Sequence, residues 1–188
     1  MTRASAVIPT TIAERIKLVI FDVDGVLTDA GVYVGATASG ETVELKKFDI
    51  QDGIGMKMLM WSGLEVAIVS GRISQATELR ARELGVECFQ EADAHKMPAV
   101  ESLLARYHLA WDEVAMVGDD IPDLAVLRRV GLPAVVANAT APVREIALWE
   151  STKRGGNGAV REFCDALLLA QGRLGAAVER YVRERSGS

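Results

Sequence analysis

The 188-residue chain has only two cysteines, Cys88 and Cys164, with no CxxC pair and no metal-ligand spacing. That excludes a disulfide framework and a cysteine-built metal site, and the expected setting is the reduced cytoplasm. No apolar run approaches the ~18 residues that a membrane helix needs, so no membrane partner is expected. Positive charge is in deficit: 21 Lys and Arg stand against 26 Asp and Glu, a net charge of −5. A general nucleic-acid binder is therefore not expected, although a local basic patch can still hold a small anion. Residues 1–15 lack a sustained apolar core and read as a flexible tail, not a signal peptide. No linker, internal repeat or low-complexity segment follows. The length and the 49% apolar content suit one α/β domain with a real core.

Three apolar β-type runs recur, at 17–21, 65–69 and 113–117. Each ends at once in polar or glycine-rich residues: DVDG, SGR and GDD. Helical patterns over 53–61, 74–84 and 97–107 lie between or after them, the last with Val100, Leu103, Leu104 and Tyr107 on one face. Pro122 sits near a helix start, where its missing N–H costs little. A further strand is expected at 134–137. The alternation predicts an α/β fold with a doubly wound parallel sheet. Such sheets bind ligands beyond the carboxyl ends of their strands, so the three polar endings should converge. One segment breaks the rhythm: 32–34 and 42–48 alternate like short strands around a turn at 35–40. It reads as a β-hairpin flap, too small for a separate cap domain.

The polar endings carry the chemistry. Asp22 and Asp24 close an apolar strand, which is costly unless a cation or a reaction needs them there. A carboxylate is a competent phosphoryl acceptor, so Asp22 is the candidate nucleophile and Asp24 the candidate general acid/base. The plainer alternative is a turn that simply ends the strand. Asp119, Asp120 and Asp123 place three acids within five residues, which repel one another unless a cation holds them. Magnesium takes carboxylate oxygens and waters, and Asp119 is the first candidate ligand, with Asp123 supporting. Asp120 also suits a helix N-cap ahead of Pro122. Ser70, Gly71 and Arg72 read either as an anion site or as another capped turn. Lys96 opens a helix and offers an ammonium to a phosphate. Magnesium and Lys96 together would offset the charge of a transferring phosphoryl group.

These elements, in this order, resemble the haloacid dehalogenase superfamily of phosphatases: DxDG at 22–25, Ser70, Lys96 and GDDxxD at 118–123. Within it the chain is similar to the capless 3-deoxy-D-manno-octulosonate 8-phosphate phosphatase family. That likeness rests on DVDGVLTD, KKFDIQDGIGMKML at 46–59, VSGR, and GGNGAVREFCDALLLAQG at 155–172, and covers 17–172. It implies a Rossmann-like core over 16–172, a flap at 32–48 and a C-terminal tail at 173–188. It implies a magnesium-dependent phosphatase acting through an aspartyl-phosphate in lipopolysaccharide precursor synthesis. The implied metal ligands are the carboxylates of Asp22 and Asp119 and the backbone carbonyl of Asp24. The implied assembly is a homotetramer in which the hairpin and tail of one subunit close a neighbour's site. The stripe Leu174, Ala177, Val178, Tyr181 suits such packing, or packing on its own domain.

The chain also departs from the family pattern. QEADAHK before Lys96 is longer than the usual QGxxDK-like loop, and Gln51 stands where many relatives carry Arg. Arg72 after Ser-Gly favours the eight-carbon substrate over a nine-carbon keto-deoxy sugar acid 9-phosphate, and Arg80 is the candidate partner of the sugar carboxylate. Two other classes compete. A receiver-like signalling module would place an acid at the end of its middle strand, where Val69-Ser70 stands here. A catalytically silent relative would have lost acids that are all present.

Overall fold

The computed structural model describes residues 7–186. In chain order the elements are α1 Thr10–Ala13, β1 Leu18–Phe21, β2 Tyr33–Ala36, β3 Thr42–Leu45, α2 Ile50–Trp61, β4 Glu65–Ser70, α3 Gln75–Leu84, β5 Glu87–Gln90, α4 Met97–Tyr107, β6 Val114–Gly118, α5 Leu124–Leu127, β7 Leu132–Val135, α6 Ala141–Arg144, β8 Trp149–Glu150, α7 Ala159–Ala170 and α8 Leu174–Ser186. Six strands form one parallel sheet in the order β5-β4-β1-β6-β7-β8. β1 is buried along its whole length, as a strand covered by helices on both faces must be. The chain moves outward from β1 through β4 to β5, then returns to the other side of β1 for β6. Right-handed crossovers in opposite directions put helices on opposite faces. α2, α7 and α8 pack together, and α4, α5 and α6 form the other group. This is the doubly wound α/β sheet expected, without a cap domain.

The three predicted strands that end in functional residues all form. The strand expected at 134–137 starts two residues earlier, at Leu132, with Pro133 inside it. A proline argues against a central strand, which masks this one in the sequence. β5 and β8 were not predicted; they are four and two residues long and give little periodicity. The hairpin forms with Tyr33 opposite Leu45 and Ala36 opposite Thr42. All of β2 is exposed.

The N-terminal end of the domain differs from the expected tail. Ile8, Ala13 and Ile16 are buried in the core, and the Gln171 amide donates to the Ala13 carbonyl at 2.7 Å. Ile8, Ile12 and Ile16 repeat every four residues and seat this segment, a pattern lost when composition alone is read. Residues 1–6 lie outside the described residues. The C-terminal segment is the helix α8, with Ala177 buried and Tyr181 packed on Trp61 at 5.8 Å between ring centroids. Part of the predicted stripe therefore packs on its own domain, while Val178 stays exposed.

Candidate active site

β1, flanked by β4 and β6, is where the winding reverses, and ligand sites form at such a point. The Asp22 amide continues the ladder by donating to the Val117 carbonyl at 3.1 Å. The chain then turns tightly, closed by the Thr28 amide on the Val23 carbonyl at 3.0 Å. Gly25 sits at φ +96°, a conformation that side chains resist, and a Cβ there would lie 2.0 Å from Asp119 Oδ2. From outside, the Asn138 side chain bridges the turn: Nδ2 donates to the Gly25 carbonyl at 3.1 Å, and Oδ1 accepts from the Gly155 amide at 2.7 Å. A Cβ on Gly155 would stand 1.8 Å from the Gly25 oxygen, so the loop before α7 lies directly against the turn. Gly25→Ala is expected to lower kcat by more than about 100-fold, the cost of roughly 1 Å of misplacement at a reacting centre. Steady-state assays with circular dichroism check it; a folded variant with full activity would contradict the packing.

Asp22, Asp119 and Asp123 each offer a carboxylate oxygen, all within 4.8 Å of one another. Lys96 Nζ lies 2.5 Å from Asp22 Oδ1 and 2.6 Å from Asp123 Oδ1. All but Asp119 are buried, and Asp119 is half-buried. Asp123 also accepts from the Asp119 amide at 2.9 Å, which ties the loop after β6 to the cluster. One ammonium cannot balance three carboxylates. Burial, then the Asp123 charge, push the Asp22 carboxyl up to about 7, against the pull of Lys96. Burial, then Asp22 and Asp123, push Asp119 up to about 8. Burial opposes the charge on Lys96, but Asp22 and Asp123 outweigh it and hold the amine protonated well above its ordinary range. The long loop before Lys96 is accommodated by two consecutive residues at positive φ, Asp93 at 61° and Ala94 at 59°. Non-glycine residues seldom adopt that region, and strain of this kind gathers at functional sites.

Asp24 stands apart from that cluster. Its Oδ1 is 2.6 Å from Lys46 Nζ on the segment following β3, and 3.7 Å from Arg72 Nη1. Arg72 in turn pairs with Glu44 of the hairpin at 3.2 Å. Asp22, Asp24, Gly71, Arg72, Lys96 and Asp119 line a cavity of about 240 Å³. Glu44 and Lys46 line a second groove of about 700 Å³ beneath the hairpin. The two ion pairs are thus the partition between cavity and groove.

Of the predicted residues, Asp22, Asp24, Gly71, Arg72, Lys96, Asp119, Asp120 and Asp123 share the cavity. The Ser70 hydroxyl is fully buried and is engaged with the Arg72 backbone, accepting from its amide at 3.2 Å and donating to its carbonyl at 3.0 Å. Arg80 is not brought to the acids. It lines the neighbouring groove, bonded to Glu83 at 2.8 Å and to the Asp49 carbonyl at 3.3 Å. Asp120 serves as an N-cap, accepting from the Ile121 amide at 2.8 Å. Lys46 and Asn138 were missed. Lys46 opens the KKFDIQDGIGMKML segment but carries no signal of its role there, Asn138 lies in no motif, and their partners are 22 and 113 residues away.

The donor set is all oxygen, with excess negative charge in a partly closed cavity, and it fits a hard divalent cation such as magnesium. A nucleophilic carboxylate beside a fixed ammonium and a separately held second acid fit phosphoryl transfer. A description of haloacid dehalogenase-like hydrolases matches residues 89–163. The chain is 43% identical over 165 residues, 88% of its length and 86% of the relative's, to the 3-deoxy-D-manno-octulosonate 8-phosphate phosphatase of Escherichia coli strain K12. Among solved structures it is similar to that of the Yersinia pestis 3-deoxy-D-manno-octulosonate 8-phosphate phosphatase, with TM-score 0.81 and 40% identity over 88% of each chain. The Moraxella catarrhalis enzyme, solved with a magnesium ion, a phosphate ion and the sugar acid, matches with TM-score 0.84 and 35% identity, covering 92% of this chain and 97% of that one. The chain belongs to the 3-deoxy-D-manno-octulosonate 8-phosphate phosphatase family of haloacid dehalogenase-like hydrolases.

Proposed function

We propose that this protein hydrolyses 3-deoxy-D-manno-octulosonate 8-phosphate to the free sugar acid and phosphate, in the cytoplasm, on the route to lipopolysaccharide. The observation that carries the reading is the buried Asp22 carboxylate at the tip of β1, held by Lys96 inside the acid cluster. A carboxylate of Asp22 attacks phosphorus, the bond from phosphorus to the sugar oxygen breaks, and Asp24 gives its proton to that oxygen. A water then attacks the aspartyl-phosphate, Asp24 takes its proton, and the Asp22 carboxylate is restored. Lys96 keeps Asp22 in place and offsets charge on the transferring group. Gly71 and Arg72 line the cavity on the side read as the phosphate side, the buried Ser70 hydroxyl holds the Arg72 backbone there, and Arg80 waits in the adjoining groove for the sugar carboxylate. The carboxylates of Asp22 and Asp119 and the Asp24 carbonyl would hold magnesium, with Asp123 in support. Magnesium supplies positive charge against the phosphoryl oxygens when bound.

The test compares kcat/KM for the eight-carbon and nine-carbon keto-deoxy sugar acid phosphates. A clear preference for the eight-carbon substrate is expected; equal rates would defeat the specific assignment. The reading includes a homotetramer. Val32, Val34 and Leu45 of the hairpin are each 64% exposed, and a two-stranded hairpin alone in water is marginal. Light scattering should return four times the chain mass; a monomer would refute it.

The raised carboxyls also predict a pH dependence. Asp22 and Asp119 are held above their ordinary 3.8, so between about pH 4 and 8 the folded chain binds more protons than the unfolded one. The stability of the magnesium-free protein therefore falls as pH rises through that window. Magnesium opposes the fall by binding the ionised acids. At a hundred times its Kd it adds about 2.7 kcal/mol, or roughly 5–10 °C in Tm. The gain should be larger at pH 8 than at pH 5.5 in thermal melts; equal gains would contradict it.

A further inference from the structure

The hairpin does more than cover the site. Glu44 and Lys46 are two residues apart, so they point to the same side of the hairpin strand and its continuation, with Leu45 on the other. Leu45 is 64% exposed, whereas the Lys46 side chain is only 2% exposed. Burying an ammonium costs several kcal/mol unless a partner compensates. The partner here is Asp24 Oδ1, at 2.6 Å. The same oxygen is 3.7 Å from Arg72, which is held by Glu44 at 3.2 Å. Charges alternate along Lys46, Asp24, Arg72 and Glu44, and three separate segments supply them. A lysine with a purely structural role on a two-stranded flap has no reason to be buried on a cavity acid that stands outside the Asp22 cluster.

We infer that Lys46 is the positioning residue for Asp24: the seated hairpin delivers an ammonium that fixes the carboxyl in the orientation from which it exchanges protons with the leaving oxygen and the attacking water. The inference rests on the reading of Asp24 as the general acid/base. It makes hairpin seating a condition of turnover, because an unseated hairpin withdraws Lys46 and leaves Asp24 with the longer Arg72 contact at 3.7 Å.

The test is a double-mutant cycle on kcat, followed in single turnovers with enzyme in excess. General acid/base groups contribute about 10²–10⁴-fold, so Lys46→Met is expected to lower kcat by about 100-fold. KM for the sugar acid phosphate should stay within about threefold, since no binding contact is removed. Lys46→Arg, which restores a cation, should recover about tenfold of the loss. In an Asp24→Asn background, Lys46→Met should cost almost nothing, because the group it acts through is gone. An equal cost in both backgrounds, or a loss confined to KM, would overturn the inference and make Lys46 a structural or substrate-binding residue. If Lys46→Met does not fold, Lys46→Gln carries the same cycle, and the loss of folding in both would assign Lys46 to structure. Full activity of Asp24→Asn alone would instead defeat the acid/base reading, so the two failures are distinguishable.

Discussion

Asp22→Asn is expected to lower kcat by about 10⁴-fold or more, the scale on which removal of a covalent nucleophile acts. The same substitution should leave Tm unchanged or raise it. Both results follow from one geometry. Asp22 is buried, its carboxyl is pushed up to about 7 by burial and by Asp123, and its charge is therefore a burden to the folded state. Asparagine keeps the shape, removes that burden, and still accepts from Lys96, which retains Asp123 at 2.6 Å. A structural acid would behave in the opposite way, losing stability before activity. Melting curves beside steady-state rates check the pair of outcomes. Retained turnover would sink the nucleophile assignment, and a large fall in Tm would sink the electrostatic account.

Lys96→Met carries the second large effect, and it should damage both properties. Without the ammonium, Asp22, Asp119 and Asp123 face one another within 4.8 Å with no opposite charge among them. Removing one partner of a buried ion pair costs about 3–5 kcal/mol. For a chain of this size that is roughly 6–20 °C in Tm. The loss should be smaller at pH 5 than at pH 8, because protonated acids no longer repel. Magnesium should recover part of it. The rate should fall by about 10²–10³-fold, as when one preorganised donor is removed from a developing charge. Arginine is not expected to rescue, since its planar fork does not replace a compact ammonium between two carboxylates. A Lys96→Met protein with unchanged Tm and kcat would contradict this role.

The acids were legible in the sequence for a physical reason. A strand buried on both faces reads as a continuous apolar run, so the first carboxylate after it marks the sheet edge. Asp22 and Asp119 announce themselves in this way, and the parallel topology brings them together. Lys96 has no such signal of its own; only its order among the motifs marked it. Arg80 shows the limit of spacing. A helical turn or two beyond Arg72, it lies in the adjoining groove and not among the acids, a placement that spacing alone does not show. The roles of Lys46 and Asn138 were not legible. Each acts through one long-range contact with the turn after β1, and a single polar residue in a hairpin or loop looks like any solvated one. The strand β8 was missed because a two-residue element is specified by what it packs against, not by its own periodicity, and the buried segment from Ile8 to Ile16 because its four-residue repeat was passed over in a reading by composition.

The measurement that bears most directly on the account is a rapid-quench trapping of the phosphoenzyme. The protein, loaded with magnesium, is mixed with 3-deoxy-D-manno-octulosonate 8-phosphate carrying a radiolabelled phosphate, quenched in acid within one turnover, and digested. The label is expected on the peptide containing Asp22, acid-stable, released by hydroxylamine, and absent from Asp22→Asn. Turnover of the substrate without any label on that peptide, or with the label on another residue, would contradict the account.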